Sequence, residues 1–388
     1  MVGMSEPFPL DLERLRRRPD VEDPTLLAWD ATDVLLVERA LAEAEDADLD
    51  GSSILVVGER HGAITLGLAG AGLRGMGVYQ DRMAHERALE ANAAALGLGG
   101  SYRQLETVAD GAASARLILW QLPRQVGAVR RTVAELSGVQ GGALLFAGGR
   151  VKHLSVGMNA PLADGFGAVE PQLAQRKSRL LMARRDPTLA LEPAADQRST
   201  VSVGGRRLEL RGAAEAFGGA ALDPGTKLLL ETLAARGAAS GLSPATVVDL
   251  GCGNGTIAAW AALTWPAASI EATDDSRDAV ASATASLEAS GVAERARVVR
   301  ADGGDHLAEA SADVVLLNPP FHQGGTVHTG IATKLMRQAA RMLRPGGTLF
   351  CVWNSHLRYR PRLERLVGPT EQLGRDRTFT VTASTRRG

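Results

Sequence analysis

Two short stretches of this 388-residue chain carry residue types whose spacing could do chemistry. The first is Asn318-Pro319-Pro320-Phe321. Residues 313–317 (DVVLL) read as a fully buried parallel strand, so Asn318 stands at the carboxyl edge of a sheet, where open α/β folds bind ligands. Pro319 keeps Asn318 out of the helical region, and the Pro-Pro pair removes two N–H donors from the turn. What remains are acceptors, the Asn318 side-chain oxygen and the Pro319 carbonyl. An exocyclic amine whose lone pair is delocalised into a ring is a poor nucleophile until two acceptors hold its hydrogens and favour a pyramidal nitrogen. Phe321 can stack on such a ring.

The second stretch is residues 247–255 (VVDLGCGNG), a strand running into a glycine turn and then a helix over 256–263 that Pro266 ends. Gly251, Gly253 and Gly255 let a ligand approach the backbone around Cys252. The spacing is G-x-G-x-G, no Lys-Ser/Thr pair follows, and acidic Asp249 would repel a pyrophosphate, so dinucleotides and nucleoside triphosphates fit poorly. S-adenosylmethionine fits better. It has no phosphate, and its sulfonium and ammonium tolerate a carboxylate. A following strand (268–273) ends at Asp274, where a ribose diol is held in this kind of fold, and another (296–300) ends near Asp302, beside the expected adenine amino group. Together the two stretches describe a methyl-donor site facing a flat, nitrogen-bearing acceptor, with Asn318 touching both.

The elements that must position these residues occur twice. Residues 53–57 (SILVV), Gly58-Glu59-Arg60-His61-Gly62 and an apolar helix repeat the glycine-turn unit; residues 115–124 (ARLILWQLPR) match ADVVLLNPPF, and 141–149 match 346–354. The offsets grow from roughly 193 to 205 residues, as expected of two diverged copies. The first copy has lost its chemistry: Glu59, Arg60 and His61 fill the turn, and Trp120-Gln121-Leu122-Pro123 lacks the Asn and the double proline. His61 has no partner acid or metal ligand at a recognisable spacing. The expected architecture is α/β, two tandem Rossmann-like domains, each a mostly parallel doubly wound sheet: residues 1–190 degenerate and without cofactor, residues 191–388 catalytic.

Composition sets the limits. Hydrophobic residues make up 45% and charged residues 22%, which suits large globular cores; the two cysteines support neither a disulfide framework nor a zinc site, and no metal is expected. The start lacks an apolar signal region and no uninterrupted apolar run is long enough to cross a bilayer, so a cytoplasmic protein without membrane partners is expected. The net charge of -1 does not advertise nucleic-acid binding, but two local clusters could track phosphates: Arg176, Lys177 and Arg179, and Arg358, Arg360 and Arg362.

The motif pair is similar to that of the amino-group class of S-adenosylmethionine-dependent methyltransferases. Residues 318–322 (NPPFH) resemble the tandem-domain rRNA guanine-N2 methyltransferases, as does 217–230 (FGGAALDPGTKLLL) ahead of the catalytic strand; LLAWDATDVLL and LAQRKSRLL look more like the large-subunit enzyme than the small-subunit one. The resemblance implies a monomer using S-adenosylmethionine on 23S rRNA, naked or in a subunit precursor, with Asn318, Pro319, Pro320 and Phe321 at the reacting centre. A 16S rRNA target, a protein-glutamine or DNA-adenine substrate, and a non-catalytic RNA-binding or assembly role are the alternatives. His322 is expected to pack rather than act as a base, and 323–326 to form a loop that closes over substrate.

Overall fold

Apolar runs short enough for strands and flanked by glycine turns become the centres of two sheets, because only burial on both faces satisfies them. The computed structural model describes residues 8–190, 196–212, 219–236, 241–320 and 326–388. The chain divides into two units, Met1–Ala194 and Ala195–Gly388.

In the first unit, α1 (Ala31–Asp46) precedes β1 (Ile54–Val57), α2 (Ala63–Gly70), β2 (Met76–Tyr79), α3 (Met83–Leu96), β3 (Tyr102–Gln104), α4 (Ala109–Ala112), β4 (Leu117–Gln121), α5 (Val126–Glu135), β5 (Leu144–Arg150), α6 (Asn159–Phe166), β6 (Val169–Pro171) and β7 (Ser178–Arg184). The strand order is β3-β2-β1-β4-β5-β7-β6, with β7 antiparallel to β5 and β6. Asp30 starts α1 with a capping box, its carboxylate on Thr32 N while Asp33 reaches back to the Asp30 N–H.

The second unit opens with a hairpin of β8 (Gln197–Val203) and β9 (Arg206–Gly212). Gly204 and Gly205, both at positive φ, make its two-residue turn. The hairpin stands outside the main sheet and is fastened by Trp260, whose indole N–H donates to the Gly204 carbonyl at 3.2 Å. Then follow α7 (Pro224–Ala235), β10 (Thr246–Leu250), α8 (Thr256–Thr264), β11 (Ser269–Asp274), α9 (Arg277–Ala289), β12 (Ala296–Arg300), β13 (Ala312–Leu317), α10 (Thr326–Met342), β14 (Leu343–Asn354), α11 (Arg360–Leu366), β15 (Thr370–Arg375) and β16 (Phe379–Thr385). The order β12-β11-β10-β13-β14-β16-β15 repeats that of the first unit strand for strand.

Two sequence expectations shift here. Thr326, expected in a loop, begins α10, and 321–325, with Phe321 and His322, lie outside the described residues. The strand expected at 348–353 extends from Leu343 to Asn354, with a register shift against β13 between Ala312 and Val314. Among the described residues no helix is long and apolar enough to cross a membrane.

Apolar side chains cover both faces of the second sheet. Val247, Ile270, Ala272, Val314, Leu316 and Val352 share a core with α8, α9 and the hairpin, while Val248, Leu250, Val315, Leu317 and Cys351 pack on α10 and α11. The alternation along β10 and β13 is therefore between two interiors, which is why no polar face marks them in the sequence. Gly255 shows how tightly the helices close. It has φ +79°, and a Cβ there would sit 2.9 Å from Ala283 Cα on α9. Gly255→Ala should therefore destabilise the second unit by about 1–3 kcal/mol. Thermal denaturation followed by circular dichroism should show its melting fall by several degrees; an unchanged transition would contradict this packing.

Candidate methyl-transfer site

β10 and β13 are neighbours in parallel register, with Leu250 opposite Leu317. Their carboxyl ends therefore deliver the glycine turn and the Asn-Pro-Pro turn to one place on the sheet edge. Gly251 N and Cys252 N both donate to Thr273 O at 2.8 and 3.0 Å, tying the turn to the end of β11. Gly251 and Gly253 have φ +79° and +53°, and a Cβ on either would meet nothing within 4 Å. These two glycines face open space, whereas Gly255 serves packing. A turn that leaves backbone bare toward open space, rather than toward protein, fits a bound ligand.

The acids take different parts. Asp274 accepts from Gly253 N at 3.0 Å through one oxygen and from Ser276 N at 3.1 Å through the other, so it fixes the turn from the end of β11. Asp302 is gripped by Lys334 of α10, whose ammonium lies 2.6 Å from each carboxylate oxygen. Nothing in the sequence links that lysine to Asp302 across 32 residues. Asp249 is completely buried. One of its oxygens accepts from Ala258 N of α8 at 2.9 Å and the other is buried without a partner among the described residues. Asp249 thus sits beneath the turn, anchoring α8. Burial pushes its carboxyl up to about 8, against the pull of the Ala258 hydrogen bond and with Asp274 adding to the rise. Burial, with Asp274 and Asp249, also holds the Cys252 thiol well above its ordinary value, so it is no nucleophile.

Asn254 carries a contact not visible in the motif. Its amide donates to Gly219 O at 3.0 Å and Ala221 O at 2.9 Å, while its oxygen receives the Thr256 hydroxyl at 2.7 Å, so the segment before α7 is stitched to the turn. Asn318 is held from the same side: its amide nitrogen donates to Asp223 Oδ1 at 2.8 Å and to Thr226 Oγ1 at 2.9 Å. Its Oδ1 is buried and unpartnered among the described residues. A buried carbonyl oxygen without a donor costs about 1–3 kcal/mol and calls for a ligand's N–H.

The same place in the first unit is filled. Glu59, aligned with Cys252, folds its carboxylate back onto the turn and accepts from Arg60 N, Gly62 N, Ile64 N and Thr65 N at 2.8–3.1 Å. Arg60, aligned with Gly253, lies 2.6 Å from Asp30. The reading of His61 as partnerless is corrected. It lies 3.2 Å from Asp20 Oδ2, with His85 within 4.0 Å of the same oxygen; Asp20 is 41 residues away, where no local spacing reveals it. Arg17 also donates to that oxygen, at 2.8 Å.

The two basic clusters remain on separate units. Arg176 and Lys177 both adopt positive φ at the β6–β7 turn; Arg176 meets Glu38 at 3.0 Å, and Arg179 is half-buried on β7. Arg358 is exposed at φ +49°, and Arg360 pairs with Glu364 at 3.0 Å. Arg362 is drawn inward, donating to Thr333 Oγ1 at 3.0 Å with its guanidinium 5.2 Å from the Tyr359 ring centre.

A seven-stranded sheet in this order, with a bare glycine turn after its first strand and Asn-Pro-Pro after its fourth, defines a methyltransferase of the Rossmann-like class. Comparison with known proteins agrees: residues 207–383 match the methyltransferase small domain and residues 8–187 the RLMG N-terminal domain. The chain is 32% identical over 385 residues to the ribosomal RNA large subunit methyltransferase G of Shewanella amazonensis, covering 97% of this chain and 96% of that one. With the Streptomyces coelicolor protein of that name it shares 35% over 376 residues, 95% and 96% of the two chains. The chain belongs to the ribosomal RNA large subunit methyltransferase G family. The fold is also that of the T. thermophilus 16S rRNA N2 methyltransferase solved with AdoMet and guanosine, at TM-score 0.74 over 92% of each chain and 22% identity.

Asp249 supplies a test of the turn's electrostatics. Its folded value of about 8 lies above the unfolded carboxylate value near ~3.9, so folding favours the protonated form. The stability it contributes is complete below pH ~4 and is lost as pH rises through about 8. Asp249→Asn removes this titration. Urea denaturation of wild type and variant without cofactor, from pH 5 to 8.5, should show the variant gaining on wild type as pH rises; a constant difference would place Asp249 in a more solvated setting.

Proposed function

We propose that the second unit transfers a methyl group from S-adenosylmethionine to the exocyclic N2 amine of a guanine in 23S rRNA, in the cytoplasm. The observation that carries this reading is the buried, unpartnered Asn318 Oδ1 at the end of β13, beside the bare backbone of Gly251 and Gly253 at the end of β10. When bound, S-adenosylmethionine supplies an electrophilic methyl group. Gly251, Cys252 and Gly253 would hold it along the turn, Asp274 at the ribose side and Asp302 at the base, while Asp249 keeps the helix behind them in place.

Asn318 Oδ1 and the Pro319 carbonyl accept the two hydrogens of the incoming amine, which localises its lone pair and fixes its line of approach. Pro320 stiffens the turn, and Phe321 offers a face to the base. A paired guanine cannot reach such a site, so the base is flipped out or already unpaired. The first unit binds no cofactor in this reading: Glu59 occupies its own turn, and the unit serves folding and RNA binding.

Calorimetry on the purified chain should find one S-adenosylmethionine per monomer, abolished by Gly253→Arg. Asn318→Ala should keep that binding while its single-turnover rate on rRNA falls roughly 100-fold or more, the usual effect of losing one preorganised partner. Mass spectrometry of rRNA nucleosides from a deletion strain should then lack one N2-methylguanine in 23S rRNA. Two binding sites, or a full rate in Asn318→Ala, would overturn the assignment.

The cationic clusters make a separate prediction. Among the described residues Lys177 and Arg358 form no ion pair, whereas Arg362 is committed to Thr333 and Tyr359, so reversing Lys177 and Arg358 should matter most. Each cation removed from a phosphate should flatten the dependence of log affinity on log salt by about 0.7–0.9. Filter binding across a salt series measures it, and parallel lines would move the RNA elsewhere.

A further inference from the structure

We propose that Asp223 and Thr226 are positioning residues that orient Asn318 for the reaction, a role resting on the reading of Asn318 as acceptor given above. A primary amide has two donors at one end and only an acceptor at the other. Both Asn318 donors are consumed at the start of α7: one meets Asp223 Oδ1 at 2.8 Å, the other Thr226 Oγ1 at 2.9 Å. Turning the amide over would set its oxygen against a carboxylate oxygen, acceptor against acceptor. Asp223 therefore forces Oδ1 away from the helix, where it is buried without a partner among the described residues. The clamp is itself rigid, because the same Asp223 Oδ1 caps α7 by accepting from Thr226 N at 2.8 Å, and Pro224 fixes the first turn.

Gly225 completes the device. A Cβ there would lie 3.4 Å from Asn318 Oδ1 and 3.2 Å from Asp223 Oδ1, so the missing side chain leaves room at the acceptor. The first unit carries a vestige of the clamp at the corresponding positions. Asp33, aligned with Thr226, accepts from the side-chain amide of Gln121, aligned with Asn318. The helix-to-strand grip thus belongs to the frame, and only the second unit uses it to aim an oxygen.

The test separates holding from folding. Asp223→Ser keeps a good helix cap but is too short to reach Asn318, and Thr226→Val is isosteric and lacks the acceptor. The double variant should lose roughly 10- to 100-fold in kcat, with KM for rRNA and cofactor affinity within about twofold of wild type. In the Asn318→Ala background the same pair should change kcat less than about twofold, because nothing is left to orient. Asp223→Asn, which retains an oxygen for cap and amide, should recover the rate to within about threefold. Should the double variant fail to fold, Thr226→Val alone carries the same cycle. A wild-type kcat in the clamp variants, or an equal loss with and without Asn318, would overturn the clamp while leaving the site reading intact. A wild-type rate in Asn318→Ala would instead overturn the site reading itself.

Discussion

The structure depends on the parallel pairing of β10 with β13. Leu250 opposite Leu317 brings two turns from distant parts of the second unit's sequence to one edge, and each turn is set by residues that leave the backbone few choices. β11 then adds Asp274 beside the turn and β12 leads to Asp302. Everything chemical in the second unit hangs from the ends of four adjacent strands, and the buried runs behind them hold those ends in register.

The first unit builds the same frame around a filled turn. Its strand order is identical, its first strand ends in a turn closed by Gly62 at φ +101°, and its fourth ends in a carboxamide held by Asp33 of α1. The interior is completed by charge instead of ligand. Glu59 satisfies four backbone N–H groups at the start of α2, and Arg60 lies against Asp30 and Asp33, the last of which burial pushes up to about 7 despite Arg60. Two side chains in place of Cys252 and Gly253 convert a cradle into a packed core.

Much of this was legible in the sequence, and the boundary is a physical one. Runs such as DVVLL and VVDL announce strands because burial on both faces demands unbroken apolar residues, and Gly251, Gly253 and Asn318-Pro319 announce turns because few other residues tolerate those backbones. What stayed hidden was carried by side chains distant in sequence: Lys334 on Asp302, Asn254 on Gly219 and Ala221, Asp20 beside His61, Asp223 under Asn318. No period or spacing records such contacts. Asp249 was misplaced for a related reason, since an acid at the end of a strand can face the ligand or the helix behind it, and only the fold chooses.

The filled and the bare turn give the two halves of the chain different thermodynamic lives. Glu59 is a tethered anion at effectively infinite concentration, so the first unit's turn is closed whatever the cell contains. The turn of the second unit, where a Cβ on Gly251 or Gly253 would meet nothing within 4 Å, gains its completing contacts only by mass action. On the proposed function, the catalytic half is the one whose resistance to unfolding and proteolysis rises and falls with the supply of methyl donor, while the other half stays constant. A shortage of donor then lowers both the rate of modification and the lifetime of the domain that performs it.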